Sequence, residues 1–182
     1  MELRNRTVQV LVILSMIAFA VAGRLLPHPD NFAPVAALGL MAGYLFASRS
    51  LGLGIVMIAM AASDLIMGFE SLEMRLAVYG GLMVSVFAGR MLTNRSDKQF
   101  VIGLPLTSVA ASVAFFVISN LAVWAFSGMY DATAAGLGLC YVNAIPFFWN
   151  TLAGDLVYSG MLLGAVRLAQ NYYQRAQLQS AS

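Results

Sequence analysis

The sequence predicts an all-α, polytopic membrane protein, a six-transmembrane-helix bundle with both termini in the cytoplasm. Three observations carry that expectation. Of the 182 residues, 60% are A, V, I, L, M, F, W, Y or C and only 10% are charged, against roughly 45–50% apolar in soluble domains. So little charge cannot give a core of this size a water-facing shell. The apolar residues are gathered into runs of spanning length, and the basic residues fall at alternate ends of those runs. At about 20 residues per spanning helix, the length accommodates five to seven spans in one membrane domain and no added soluble domain.

The runs lie at about 7–26, 33–46, 51–67, 76–92, 101–126 and 144–168. The second is short for a bilayer, so it either extends into Asn31 and Phe32 or sits within the protein rather than against lipid. Before it, RLLPHPDNFAP carries Pro27, Pro29 and Pro34, which remove backbone donors and oppose helix at the preceding residue. A shaped loop is expected there. ASRS with Gly52, GFESLEMR and TNRSDKQ interrupt the next spans with charge or glycine, as interfacial turns do. Residues 127–143, SGMYDATAAGLGLCYVN, are too polar and glycine-rich for a full span yet longer than a turn, and are expected to form a partial helix or cap on the outer face. The polar tail, 169–182, is expected to fray in the cytoplasm near the headgroups. A cleaved signal peptide also fits Arg4, Arg6 and the small residues Ala20 and Ala22, but the apolar run continues through Leu25 and Leu26, and the charge alternation needs the first span in place.

That alternation sets the orientation. Arg4, Arg6, Arg49, Arg90, Arg95, Lys98, Arg167 and Arg175 fall on one side, and Arg24 and Arg75 on the other. The positive-inside rule makes the first side cytoplasmic. Asp30, Glu70, Glu73 and Asp131 then face outward.

Several functions are excluded by what the chain lacks. A net charge of +2 from so few groups builds no basic face for nucleic acid. Cys140 is the sole cysteine and His28 the sole histidine, so neither an internal disulfide nor a Cys/His metal site can be assembled. The one lysine, Lys98, follows TNRSD rather than a phosphate-cradling glycine loop. Any ATP-driven step must come from another chain, and no cofactor or metal is expected.

The informative residues are polar ones inside apolar runs. Asp64 lies 13 residues after Leu51, about 20 Å along the third span, and Asp155 lies near the middle of the sixth. An ionised aspartate at helix centre costs roughly 2.5–3.5 kcal/mol on insertion scales, so both are expected to face the bundle interior. Their candidate charge partners are Arg24 and Arg75, which could otherwise snorkel to the headgroups. Asn150, Thr151, Gly154, Asp155 and Tyr158 merge at helical spacing into one polar stripe. Asn120 and Trp124 lie one turn apart on the fifth span; Met57, Met60 and Asp64 align on the third, and Tyr79, Met83 and Phe87 on the fourth. Together with Asn143 these residues suggest an outward-opening cavity for a small organic molecule. The structural alternative for each is a helix-to-helix hydrogen bond, an ion pair or ordinary core packing. A carboxylate-lined site favours neutral or cationic ligands unless Arg24 or Arg75 turns inward. Gly39 and Gly43, Gly160 and Gly164, and Ala18 and Ala22 form small-xxx-small pairs that permit close helix approach.

RLLPHPDNFAPVAALGLMAG (24–43), ASDLIMGF (62–69), FFVISNLAVW (115–124) and YVNAIPFFWNTLAGDLVYSG (141–160) resemble a family of small, largely uncharacterised bacterial membrane proteins described as transport proteins. That family is similar in size and layout to the substrate-binding S components of energy-coupling-factor (ECF) vitamin transporters. The resemblance implies a six-helix protein of the bacterial inner membrane that binds a vitamin or metal ion from outside. It also implies docking on a membrane coupling protein driven by two ATPases. S components often carry AxxxA in the first helix for docking, a spacing that Ala18 and Ala22 match.

Two functions are therefore expected to compete. The first is a substrate-binding component for uptake of a small nutrient, with Asp64, Tyr79, Asn120, Trp124, Asn143, Asn150, Asp155 and Tyr158 lining or bordering the site. The second is a non-transport scaffold of an envelope complex, with the aspartates structural. An enzyme would need a paired nucleophile and base, and no such pair is visible.

Overall fold

The computed structural model describes residues 6–69 and 71–180, so the charge assignments of Arg4 and Glu70 lie outside the described residues. It contains six helices and, among the described residues, no strand: α1 Arg6–Leu25, α2 Val35–Leu45, α3 Arg49–Met67, α4 Leu72–Arg90, α5 Asp97–Phe126 and α6 Ala134–Ser180. Five are long and apolar enough to cross a membrane; α2 is not. The outer surface is apolar: Leu11 and Leu14 on α1, Ile58 and Leu65 on α3, Leu106 on α5 and Trp149 on α6 all point away from the bundle. Inside lie Ser63, Asp64, Ser85, Ser108, Ser112, Thr151, Asp155 and Ser159. This arrangement inverts that of a water-soluble bundle and suits a lipid surround.

The short second run resolves in favour of an internal helix. All eleven residues of α2 are buried, and α2 touches every other helix. Its length, about 16 Å at 1.5 Å per residue, is half of a bilayer core, so protein rather than lipid surrounds it. Tight packing on α4 makes this possible. A Cβ at Gly43 would meet the Val86 carbonyl, and one at Gly89 would meet the Leu40 carbonyl, so glycine lets the two backbones approach. Of the small-residue pairs, Gly39 and Gly43 serve this contact. A Cβ at Gly160 or Gly164 would meet nothing within 4 Å, and Ala18 and Ala22 lie on the exposed face of α1.

Cross-helix contacts give the direction of each element. Arg24 at the end of α1 reaches Asp64 at the end of α3, Tyr44 at the end of α2 meets Gln170 far along α6, and Arg167 of α6 meets Asp97 at the start of α5. Successive helices therefore alternate in direction. One end of the bundle holds Arg6, Arg49, Arg90, Arg95, Lys98, Arg167 and Arg175, and the other holds Arg24 and Arg75.

Boundaries differ from the hydropathy reading where capping extends a helix. α4 starts at Leu72 because the Ser71 hydroxyl accepts the Met74 N–H at 3.3 Å, and α5 starts at Asp97 because Ser96 and Gln99 form a reciprocal capping box. The largest correction concerns α6, 47 residues long. The expected outer cap at 127–143 is a loop only as far as 133; Thr133 then accepts the Gly136 N–H at 3.1 Å and opens the helix. Nor does the tail fray before Ser180. Arg167, Gln170 and Asn171, on one helix face, are held by Asp97 and Tyr44, and the guanidinium of Arg167 lies 5.2 Å from the Phe100 ring centroid.

Candidate functional site

At the end of the bundle away from the basic cluster, all six helices and the proline loop line a cavity of about 490 Å³, within the roughly 300–1,000 Å³ usual for small-molecule sites. Its wall is organised by an ion pair between helices that are forty residues apart in sequence. Arg24 Nη1 lies 2.7 Å from Asp64 Oδ1 and also donates to the Ser63 hydroxyl. The Tyr79 hydroxyl donates to Asp64 Oδ2 at 2.6 Å. Both carboxylate oxygens are thus satisfied, as a charge in an apolar bundle requires. The α3 backbone places this pair: Ser63 and Asp64 precede the last turn, which closes with Gly68 N–H on the Asp64 carbonyl and Gly68 at φ +98°.

Asp155, 2% exposed, lines the same cavity from α6. Ser112 Oγ of α5 lies 2.6 Å from its Oδ2 and 3.0 Å from the Ser108 carbonyl. A hydroxyl carries one hydrogen, and the shorter contact marks the carboxylate as its acceptor. No described residue donates to Asp155 Oδ1. One turn before Asp155, Thr151 lines the cavity as well, and one turn after it Ser159 meets Ser108 at 3.3 Å. Asp155 therefore sits in a seam of small hydroxyls between α5 and α6.

Arg75, in the first turn of α4, completes the charged lining. Its guanidinium carbon lies 4.7 Å from the Phe69 ring centroid, and its buried Nε has no hydrogen-bond partner. The remaining lining is mostly apolar, with Met60, Leu82 and Phe115 among the larger side chains. A side lobe of about 200 Å³ shares Asn31, Val78, Phe115 and Thr151 with the main cavity and is also lined by Asn120. Asn31, at φ +63°, takes the left-handed conformation that asparagine tolerates and lines both lobes from the proline loop.

Residues 4–178 match the model of a family of unknown function, DUF6580. The chain belongs to DUF6580. No curated protein and no solved structure matches it.

The expected site residues of this DUF6580 member divide into two groups. Asp64, Tyr79, Asp155, Arg24 and Arg75 converge on the main cavity, and Asn120 on its side lobe. Four others lie elsewhere. Trp124 donates its indole N–H to the Asp131 carbonyl at 2.9 Å and braces the loop before α6. Asn143 Nδ2 is 3.4 Å from the Tyr130 hydroxyl on an exposed surface. Asn150 lines neither the main cavity nor its side lobe. Tyr158 packs against the rings of Phe32 and Phe19, at 5.4 and 6.0 Å between centroids. The fourth-span stripe also splits: Tyr79 faces the cavity, while Phe87 is exposed. His28 Nδ1 lies 2.7 Å from the Pro29 carbonyl, within its loop.

Residues not singled out by sequence include Ser63, Ser108 and Ser159. Their signal was available: Ser63 adjoins Asp64, and Ser159 continues the Thr151–Asp155 spacing. Serine is common enough in membrane helices, often bonded to its own backbone, to carry little weight before its partner is known.

Proposed function

We propose that the protein is a substrate-binding membrane component for uptake of a small nutrient, a vitamin or vitamin precursor. It sits in the bacterial inner membrane as a multi-pass protein, with the basic end and both termini cytoplasmic and the cavity opening outward. The observation that carries this reading is the cavity itself. In a bundle whose outer face is apolar, about 490 Å³ of space opens at the less basic end, lined by charged groups from α1, α3, α4 and α6. A scaffold needs no such volume, and a packed core avoids it.

Binding alone does not move a solute, and the chain has no nucleotide-binding loop. Energy therefore comes from a separate coupling membrane protein and two ATPases, as the likeness to S components implies. The exposed Ala18 and Ala22 face of α1 provides close approach for such a partner. The protein acts as a binder rather than as an enzyme.

Native mass spectrometry of the full chain in mild detergent tests this reading. A stoichiometric small molecule should accompany the wild type and be lost in Asp155→Asn, which replaces the acceptor at the cavity wall with a mixed donor and acceptor. Protein that carries no small molecule but retains a membrane partner would sink the uptake reading and favour the scaffold.

A further inference from the structure

The four charges lining the cavity sum to zero, but only two of them pair with one another. Arg24 and Asp64 neutralise one another at 2.7 Å, and Tyr79 takes the second carboxylate oxygen. Arg75 and Asp155 remain. Arg75 contributes a guanidinium whose Nε is buried without a hydrogen-bond partner, and among the described residues its recorded contact is with the face of Phe69 rather than with a carboxylate. Ser112 serves Asp155 Oδ2, and among the described residues none donates to Oδ1. Arg75 stands in the first turn of α4, at the cavity mouth. Asp155 lies deep, opposite Ser112, which is fourteen residues before the end of α5, or about 21 Å along the helix.

Among the described residues, a cation at the mouth and an acceptor at depth are thus left unpaired, and with Met60, Leu82 and Phe115 on the same wall they define a complementary molecule. Resting on the uptake reading above, we infer that the ligand class is a small organic acid. Its carboxylate is held by Arg75, its apolar or aromatic body lies against Met60, Leu82 and Phe115, and an N–H or O–H at its far end donates to Asp155. The planar guanidinium fork matches a carboxylate in two parallel hydrogen bonds. A phosphate is a poorer fit, because its second charge would need another free cation and Arg24 is already neutralised. A cationic ligand would have to pass Arg75. The inward position of Arg75 thus reverses the preference for neutral or cationic ligands that the two aspartates alone suggest.

The test uses the full chain in detergent. Acids are paired with their neutral amides as probes: nicotinate with nicotinamide, indole-3-acetate with indole-3-acetamide, and biotin with biotinamide, with the pyridinium 1-methylnicotinamide as a cation. Thermal stabilisation is read for each, and native mass spectrometry identifies any co-purified molecule. The expected result is that the co-purified molecule carries a carboxylate, or that at least one acid stabilises more than its amide. Arg75→Gln should weaken that binding by about tenfold to a hundredfold, the loss of one charged hydrogen-bonded pair, and Arg75→Lys should restore part of it. Because Arg75 is tied to no other helix by a hydrogen bond or ion pair among the described residues, Arg75→Gln should not lower the ligand-free Tm; a merely structural arginine would. Amides or the cation binding as well as the acids, or an acid held equally by Arg75→Gln, would overturn the inference and leave the uptake reading standing. No co-purified molecule and no stabilisation by any probe would remove both.

Discussion

Asp64→Asn is expected to destabilise the protein by about 3 kcal/mol, the lower end of what breaking a buried ion pair costs. The lower end applies because the Arg24 side chain keeps 19% of its surface exposed, against 9% for Asp64. Asparagine fits the same space, so the loss is electrostatic: Arg24 is left charged in an apolar bundle with only neutral acceptors, the new amide oxygen, Ser63 and Met60. The Arg24→Gln, Asp64→Asn double variant should recover part of the loss, because neither side then holds an uncompensated charge. Tyr79→Phe should cost less, about 1 kcal/mol for one hydrogen bond. The sole cysteine supplies the readout. Cys140 is buried, so a thiol-reactive fluorophore reports unfolding during a thermal ramp in detergent. A single variant with wild-type Tm would mean that the pair does not hold α1 against α3.

This pair also shows what the sequence discloses and what it conceals. An aspartate inside an apolar run demands a partner, and only Arg24 and Arg75 fall at the right end, so the contact was legible as a choice between two residues. Which arginine pairs depends on the packing of α1 against α3, which hydropathy does not encode. The ends of α1 and α3 were legible because charge or glycine bounds their apolar runs. α6 was not, since its first and last turns are polar or glycine-rich. Beyond the apolar run, the helix is held by contacts distant in sequence, such as the Tyr141 hydroxyl on the Val117 carbonyl at 2.9 Å and the Tyr44 hydroxyl on Gln170 at 2.7 Å. The candidate site failed in a similar way at Trp124 and Asn143. Both are polar and near the outer end, and nothing in their spacing separates a side chain that lines a cavity from one that braces a loop.

Gly43→Ala and Gly89→Ala should each cost substantial stability for a single added methyl. Alanine is the better helix former by about 1 kcal/mol, so intrinsic propensity argues for stabilisation. Packing reverses that sign. The new methyl would overlap the Val86 carbonyl in one case and the Leu40 carbonyl in the other. Backbone atoms cannot turn aside as a side chain can, so α2 must separate from α4. Overpacking of this kind costs about 1–3 kcal/mol and occasionally more, and the upper end is expected here because α2 touches every other helix. Gly39→Ala should be milder, since its methyl would meet the Ser85 side chain, which can rotate. Gly160→Ala and Gly164→Ala, with open space around the added atom, should be neutral or slightly stabilising. The same thermal ramp on all five variants compares them directly, and equal Tm for Gly43→Ala and Gly160→Ala would refute a close α2–α4 contact. The effect should extend to ligand binding, because Val35 and Ala36 of α2 and Leu82 of α4 line the main cavity. Moving α2 from α4 widens the cavity between them, so any destabilised variant that still folds should also hold its ligand less tightly.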